Sequence, residues 1–199
     1  ITRFGKEVIR EMNRVGMVID MSHSAERSTL EAIELSQRPI AITHANPSFF
    51  HDALRNKSTT VLRALGESDG MLGLSLYPFH LRNGSDCTLD EFCAMTAETA
   101  DIIGIDNLGI GSDLCLNWNY ATLEWMRSGR WTAGADYGEG SADNKDWPPQ
   151  PAWFASSADL HNIAQGLKKT GFDDEAVHKI MGQNWLRFFG TAFGPAQDT

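Results

Sequence analysis

The sequence predicts an α/β fold in which about four strand-then-helix units form one half of an eightfold (β/α) barrel. Short apolar runs rich in β-branched residues recur along the chain, segments with helical periodicity separate them, and a histidine or aspartate follows three of the runs. Alternation of this kind predicts a parallel sheet. The predicted strands are residues 17–20, 39–44, 71–77 and 108–113.

Helical periodicity accounts for the segments between and after these strands. The apolar residues of 1–16 lie on one helix face, with Gly16 as the stop signal, and Ser24 is expected to cap a helix that ends at Leu35. Further helices are predicted at 59–65, 89–103 and 157–170, and at 173–189 with Asp173 as the N-cap.

One domain accounts for all 199 residues, and it contains one unusual segment. Between residues 114 and 151 the composition changes to several tryptophans among Gly, Asn, Asp and Pro. We interpret this segment as a long ordered loop insertion over the strand ends, because loops of this length are usually functional or disordered and the aromatic residues argue against disorder. The tail from Gly194 is predicted to fray.

Composition limits the function classes. A net charge of -9 argues against a nucleic-acid surface, and 42% hydrophobic with 22% charged residues is ordinary for a soluble globular protein. No apolar run approaches the roughly 18 residues of a membrane span, no signal peptide is recognisable, and Ile1 in place of Met suggests that upstream residues are missing. Three cysteines are too few for a disulfide framework; Cys87 and Cys93 could pair, so the compartment stays open.

Two histidines follow the strands of one predicted βαβ unit. His23 comes just after the first strand and His44 ends the second. Adjacent parallel strands lie about 4.8 Å apart, so imidazoles at matching ends can reach one zinc ion at about 2.0 to 2.1 Å. Either histidine alone is more often a hydrogen-bonded core residue. Their joint placement predicts a shared metal site at the carboxyl edge of the sheet.

An aspartate and an arginine are the other candidates at this edge. Asp113 ends the fourth strand after small residues, where a carboxylate can shuttle protons or hold a substrate ammonium group; the alternative is a turn aspartate. Arg55 lies in the loop after the second strand and suits a bidentate contact with a substrate carboxylate; the alternative is an ordinary surface arginine.

The remaining titratable candidates are weaker. Asp20 is expected to alternate away from His23 along the strand. His80 follows the third strand and could line the site, whereas His161 and His178 lie on predicted helices and are expected at the surface. Because a catalytic zinc usually takes three protein ligands, the sequence leaves the metal site incomplete.

Taken in order, these segments resemble the membrane (renal) dipeptidases, a family of zinc peptidases. The resemblance extends over nearly the whole chain, and its combination of motifs is specific although each motif alone is weak. The matching motifs are Phe-Gly at 4–5, Met-Asn-Arg-Val-Gly at 12–16, Ile-Asp-Met-Ser-His at 19–23, Ser-Gln-Arg-Pro-Ile at 36–40, Thr-His at 43–44, Arg-Asn at 55–56, Gly-Ile-Gly-Ser-Asp at 109–113 and Gly-Gln-Asn-Trp-Leu-Arg at 182–187.

The resemblance implies a (β/α)8 barrel of the TIM type and a two-zinc peptidase centre. It implies that His23 and His44 bind one of two zinc ions, that Arg55 binds the C-terminal carboxylate of a dipeptide, and that Asp113 lies beside the scissile bond. A hydroxide bridging the two metals would then attack the peptide carbonyl. Asn184 and Arg187 would fix the last helix against the barrel.

Two departures from the family pattern matter. The family continues its acidic strand end with Asp-Phe-Asp-Gly, whereas Leu-Cys-Leu-Asn follows Asp113 here, so substrate preference stays open. The family's early His-x-Asp pair, bridging Glu and further His have no counterpart. We therefore expect the C-terminal half of such an enzyme, inactive alone, that pairs with the missing half or with another copy as a homo-oligomer to cover its open strand edges.

Two other functions remain open at this stage. One is a binding or biosynthetic accessory protein of the same fold that does not hydrolyse peptides. The other is a metal-dependent amidohydrolase that acts on N-acyl amino acids, in which Arg55 keeps its carboxylate role and the loop at 114–151 sets specificity.

Overall fold

A parallel sheet of three strands forms the centre of the computed structural model, which describes residues 1–116, 119, 121–122 and 148–193. The strands, in sheet order, are β1 (Ala41–Ala45), β2 (Met71–Leu74) and β3 (Leu108–Ile110). The described helices are α1 (Arg3–Val15), α2 (Glu26–Leu35), α3 (Thr59–Glu67), α4 (Leu89–Ile103), α5 (Leu160–Thr170), α6 (Asp174–His178) and α7 (Asn184–Ala192), with a π-helical turn at Lys179–Gln183 between the last two. The predicted α/β class with parallel strands is confirmed.

The first predicted strand is wrong. Of residues 17–20, only Asp20 forms a bridge, and it pairs with Ala41. The Ala41 N–H donates to the Ile19 carbonyl and the Met21 N–H donates to the Ala41 carbonyl, both at 2.9 Å. The chain then enters a turn at 22–24, so pairing stops after one residue. The third and fourth predicted strands also end three residues early, at Leu74 and Ile110.

Local signals placed most helix ends correctly. α4 has the predicted bounds, and Thr88 and Glu91 form a capping box at its start. Gly16 ends α1 in the left-handed conformation, and Asp173 caps α6 as predicted. The predicted Ser24 cap is wrong, because α2 begins one residue later, after Ala25, and the Ser24 hydroxyl contacts the Met21 sulfur instead.

The two faces of the sheet differ in the size of their side chains. On one face, large apolar residues of the strands pack against large apolar residues of the helices and form the main core, among them Ile42, Leu72, Leu74 and Leu108 from the strands and Leu62, Phe92, Ile163 and Leu167 from the helices. The opposite face carries mostly small residues, with Met71 as an exception, and Phe188 and Trp185 of α7 pack there on Ala41 and Met71. A Cβ on Gly109 would overlap the Trp185 indole, whose N–H donates to the Ile110 carbonyl at 3.0 Å.

Polar contacts attach α7 to the sheet as predicted. The Asn184 side chain donates to the carbonyls of Ile105 at 2.7 Å and Leu108 at 2.8 Å, and Arg187 donates to the Asp106 carbonyl. In the part of the chain that the structure describes, no helix has the length and apolar character that crossing a membrane requires. Most of the predicted insertion at 114–151, and the tail from Gly194, lie outside the described residues.

The cysteines are free thiols. Cys87 and Cys93, which the sequence allowed to pair, are both buried. Desolvation raises the pKa of Cys87 to about 12 and that of Cys93 to about 11, so neither is a thiolate at neutral pH.

Candidate metal-binding site at the sheet edge

A bulge at the end of β1 positions His44. The pairing of β1 with β2 changes register between Ile42 and Ala45, so Thr43 and His44 lie in an irregular stretch. Bulges of this kind re-aim side chains next to active sites. The bulge requires glycine at the two positions that lie against it, because a Cβ on Gly73 or on Gly111 would overlap the Thr43 carbonyl oxygen.

The two predicted ligands lie together at this edge. The Nε2 atoms of His23 and His44 are 3.0 Å apart, and the ring planes meet at 65°. Two nitrogen ligands of a tetrahedral zinc ion, each at about 2.0 to 2.1 Å, lie about 3.3 Å from one another. The observed separation is close to that value, so the imidazole pair suits one shared ion.

The Asp20 carboxylate lies next to this pair and organises the chain around it. Its Oδ1 accepts from the backbone N–H groups of Ser22 at 3.0 Å and Thr43 at 3.1 Å, and from the Ser22 hydroxyl at 2.5 Å. Its Oδ2 accepts from the Thr43 hydroxyl at 2.6 Å, and that hydroxyl oxygen lies 2.9 Å from Nδ1 of His44. Desolvation raises the pKa of Asp20, but these hydrogen bonds outweigh it and hold that pKa below its usual value.

The expectation that Asp20 points away from His23 rested on a continuous strand. Strand alternation applies only while the chain stays extended, and here the pairing ends at Asp20 itself. Ser22 and Thr43 were missed entirely. One signal was available, since a hydroxyl residue directly precedes each of the two histidines.

Asp113 and Arg55 lie near enough to His23 for their charges to act on it. Desolvation is the largest cause of a lowered pKa at His23; electrostatic interactions with Arg55 and His44 lower it further, whereas those with Asp113 and Asp20 oppose the shift. Arg55 is buried and Asp113 is exposed. Asp113 has φ of 52°, a left-handed conformation that is uncommon outside glycine and is found disproportionately at functional sites.

His80, which the sequence suggested could line the site, is fully buried. Its Nδ1 lies 2.8 Å from the Ser75 hydroxyl, and burial lowers its pKa to about 3. The amide groups of Asn46 and Asn56 donate to the His80 carbonyl at 3.1 and 3.0 Å. His80 is thus a neutral core residue.

Lys57 was not singled out from the sequence, yet it is buried beside the site. Its ammonium group donates to the Ser24 carbonyl at 2.8 Å and so holds the segment that follows His23. Desolvation, followed by the charge of Arg55, lowers its pKa to about 8. Its position two residues after Arg55 was the only available signal.

Within the described ranges no group of three or more His, Cys, Asp or Glu side chains is arranged to hold a metal ion. The two histidines are fewer than the about three protein ligands that catalytic zinc sites use. Ring nitrogens are donors that zinc prefers, and the Asp20 carboxylate supports the His44 ring through the Thr43 hydroxyl.

Comparison with known proteins decides the family. Residues 1–125 match the family model described as membrane dipeptidase, peptidase family M19. The chain belongs to the membrane dipeptidase family. Dipeptidase tcpJ of Claviceps purpurea (strain 20.1) is 26% identical over 92% of this chain and 36% of its own length. Mouse dipeptidase 3 is 25% identical over 95% of the chain and 32% of its own length, so the chain spans about a third of these curated relatives.

Solved structures of the membrane dipeptidase family and of amidohydrolases share the fold. An amidohydrolase from Pseudomonas aeruginosa has a TM-score of 0.85 at 29% identity, covering 98% of this chain and 58% of that one. A metallopeptidase from Rhodobacter sphaeroides, liganded with a phosphinate mimic of the dipeptide L-Ala-D-Ala, has a TM-score of 0.75 at 22% identity, covering 96% of this chain and 47% of that one. Such neighbours are of the TIM-barrel type, in line with the predicted fold class.

Proposed function

We propose that this chain provides part of the active site of a zinc-dependent dipeptidase. The observation that carries the proposal is the convergence of His23 and His44, whose Nε2 atoms lie 3.0 Å apart at the carboxyl edge of the sheet. Membership of the membrane dipeptidase family supports dipeptides as substrates, as does the related metallopeptidase that was solved with a dipeptide mimic. Zinc, when bound, supplies an activated water and polarises the peptide carbonyl.

Each candidate residue then has a chemical role. His23 and His44 hold one of two zinc ions through Nε2. The buried guanidinium of Arg55 binds the C-terminal carboxylate of the dipeptide, because its planar donors match a carboxylate. Asp113 lies beside the scissile bond and transfers a proton from the attacking water to the departing amine.

Further ligands are needed for a complete two-metal centre. We propose that they come from barrel strands outside this chain, present in a longer precursor, in a separate chain or in another copy, and that this chain alone is inactive. The shorter span relative to the dipeptidases supports this. Mass measurement in solution tests it: a homo-oligomer or a complex with the complementary segment is expected, and a stable monomer with cooperative unfolding would contradict it.

The ligand assignment is tested with His23→Ala and His44→Ala in the complemented, full-length protein. Loss of a hydrogen-bond partner behind a metal ligand usually weakens metal binding about 10- to 100-fold. We expect each of these changes to weaken zinc binding by more than that, because a direct ligand is removed. His161→Ala is the matched control, since His161 is exposed on α5. Unchanged zinc content in both site variants would rule out the assignment.

A second candidate function is hydrolysis of N-acyl amino acids. The likeness to the amidohydrolase from Pseudomonas aeruginosa favours it. Arg55 would bind the same carboxylate in both reactions, so the substrates differ only on the acyl side. Turnover of a matched panel of dipeptides and N-acetyl amino acids by the complemented protein separates the two functions.

A further inference from the structure

A hydrogen-bond network connects a carboxylate to one of the two candidate metal ligands. It runs from Asp20 through the Thr43 hydroxyl to Nδ1 of His44, with contacts of 2.6 and 2.9 Å. We propose that Asp20 and Thr43 are positioning residues that keep the ring proton of His44 on Nδ1 and its Nε2 lone pair directed at the metal site. This inference rests on the proposed role of His44 as a ligand.

The direction of each hydrogen bond follows from the available protons. An ionised carboxylate has no hydrogen to donate, so the single hydrogen of the Thr43 hydroxyl lies on the contact with Asp20 Oδ2. The Thr43 oxygen can then only accept from His44, which requires a proton on Nδ1. The competing contact, from Thr43 to the Ser22 hydroxyl at 3.1 Å, is longer, and Ser22 already donates to Asp20.

The backbone prevents the network from rearranging. Asp20 Oδ1 accepts two backbone N–H groups, one from Ser22 and one from Thr43, so the carboxylate cannot rotate without losing both. The His44 N–H donates to the Ser22 hydroxyl at 3.2 Å. Gly73 and Gly111 lie against the Thr43 carbonyl on the other side. The strand end, the turn before His23 and the His44 ring are therefore held by one carboxylate.

The consequence for metal binding is a preformed ligand. With Nδ1 protonated, His44 presents a bare Nε2 and needs no tautomer change, and the carboxylate behind the hydroxyl raises the basicity of the ring. In the metal-free chain His23 then donates its Nε2–H across the 3.0 Å contact. For His23 to bind a metal through Nε2, the proton has to leave that nitrogen, whereas Nε2 of His44 carries no proton to begin with.

The first measurement is the tautomer of His44 in the metal-free 199-residue chain. Long-range proton–nitrogen correlation spectra of the imidazole rings distinguish a protonated from an unprotonated ring nitrogen. We expect a protonated Nδ1 and an unprotonated Nε2 for His44. An Nε2–H tautomer in the unmodified chain would overturn the proposal.

Asp20→Asn offers the sharpest variant because it should reverse the network. The two backbone N–H groups keep an amide oxygen at the Oδ1 position, which puts the NH₂ group opposite the Thr43 hydroxyl. The hydroxyl then accepts from Asn and donates to His44, whose proton moves to Nε2. We expect the opposite tautomer and zinc binding weakened about 10- to 100-fold.

Thr43→Val and Thr43→Ser keep the test independent of how well Asp20→Asn folds. Valine has the shape of threonine but no hydroxyl, so it should abolish the Nδ1 preference and weaken zinc binding, whereas serine should restore both. Thr96→Val is the matched control, because that hydroxyl donates only to the Phe92 carbonyl inside α4. Unchanged spectra and zinc affinity in Thr43→Val and Asp20→Asn would overturn the proposal.

The two levels of inference fail separately. If His23→Ala and His44→Ala leave zinc content unchanged, the proposed function fails, while the ring spectra of the metal-free chain still report on the network. If zinc binding depends on both histidines but the His44 tautomer does not respond to Thr43→Val, the positioning role alone is wrong.

Discussion

His44 and His80 both contact a hydroxyl group through Nδ1, yet their surroundings lead to opposite roles. Behind the Thr43 hydroxyl lies the Asp20 carboxylate, so the hydroxyl donates away from His44 and leaves Nε2 bare. The Ser75 hydroxyl instead accepts from the Tyr77 N–H at 3.2 Å, and its hydrogen is available for His80. In our proposal, the carboxylate behind the hydroxyl thus distinguishes the ligand geometry of His44 from the core geometry of His80.

The comparison also extends to burial. His80 is completely buried, and the asparagine side chains around it are neutral. His44 is half-buried and His23 is exposed. Solvent can reach the pair of His23 and His44, so a metal and a substrate can approach it. His80 is out of reach of solvent and contributes to stability instead.

The largest expected difference is in stability. His80→Ala should lower the free energy of unfolding by about 2–4 kcal/mol, because it leaves a cavity and removes the partner of the Ser75 hydroxyl. His23→Ala in the metal-free chain should change it by no more than about 0.5 kcal/mol, since the side chain is exposed. Urea unfolding measures both values. Equal effects would contradict the distinction between core and site histidines.

A smaller effect is expected from the glycines that accommodate the bulge. Gly111→Ala should cost about 1–3 kcal/mol, because its Cβ would overlap the Thr43 carbonyl, and zinc binding should weaken as His44 moves. Gly190→Ala is the matched control: nothing lies within 4 Å of its Cβ, and alanine is about 0.5–1 kcal/mol better in a helix. If Gly111→Ala proved neutral in both measurements, the bulge would not depend on close strand contact.

A further expected effect is a pH dependence that belongs to His80. Its pKa falls from the usual 6.5 to about 3 in the folded chain, so between these values the unfolded chain binds one more proton. Stability therefore rises with pH across this window and is lost as the pH falls. The contribution is at most about 1.4 kcal/mol per pH unit.

Comparison with His80→Gln isolates this contribution, because glutamine does not titrate. Unfolding free energies measured from pH 6.5 to pH 4.5 should fall less steeply in the variant than in the unmodified chain. His161→Gln should keep the original slope, since that histidine is exposed. Parallel slopes for all three proteins would mean that folding does not lower the pKa of His80.

Features that depend on a few neighbouring residues were predictable. The bounds of α4, the stop at Gly16 and the cap at Asp173 follow from local hydrogen bonds and backbone preferences that the residues themselves carry. The proximity of His23 and His44 was also predictable, because each histidine lies at or just after the end of a segment that ends at the same sheet edge, although the first segment pairs with β1 only through the Asp20–Ala41 bridge. The family likewise followed from motif order.

Features that depend on what lies opposite a residue were decided only by the tertiary structure. The predicted strand 17–20 forms only a single bridge, because a turn follows it directly. This turn leaves the Asp20 carboxylate in contact with the Thr43 hydroxyl instead of directed away from the site. His80 entered the core because Ser75, Asn46 and Asn56 surround it there. The sequence by itself thus determined that His23 and His44 lie close together. The carboxylate behind His44 and the burial of His80 depend on groups from distant segments of the chain, and no local sequence pattern encodes the distances between such segments.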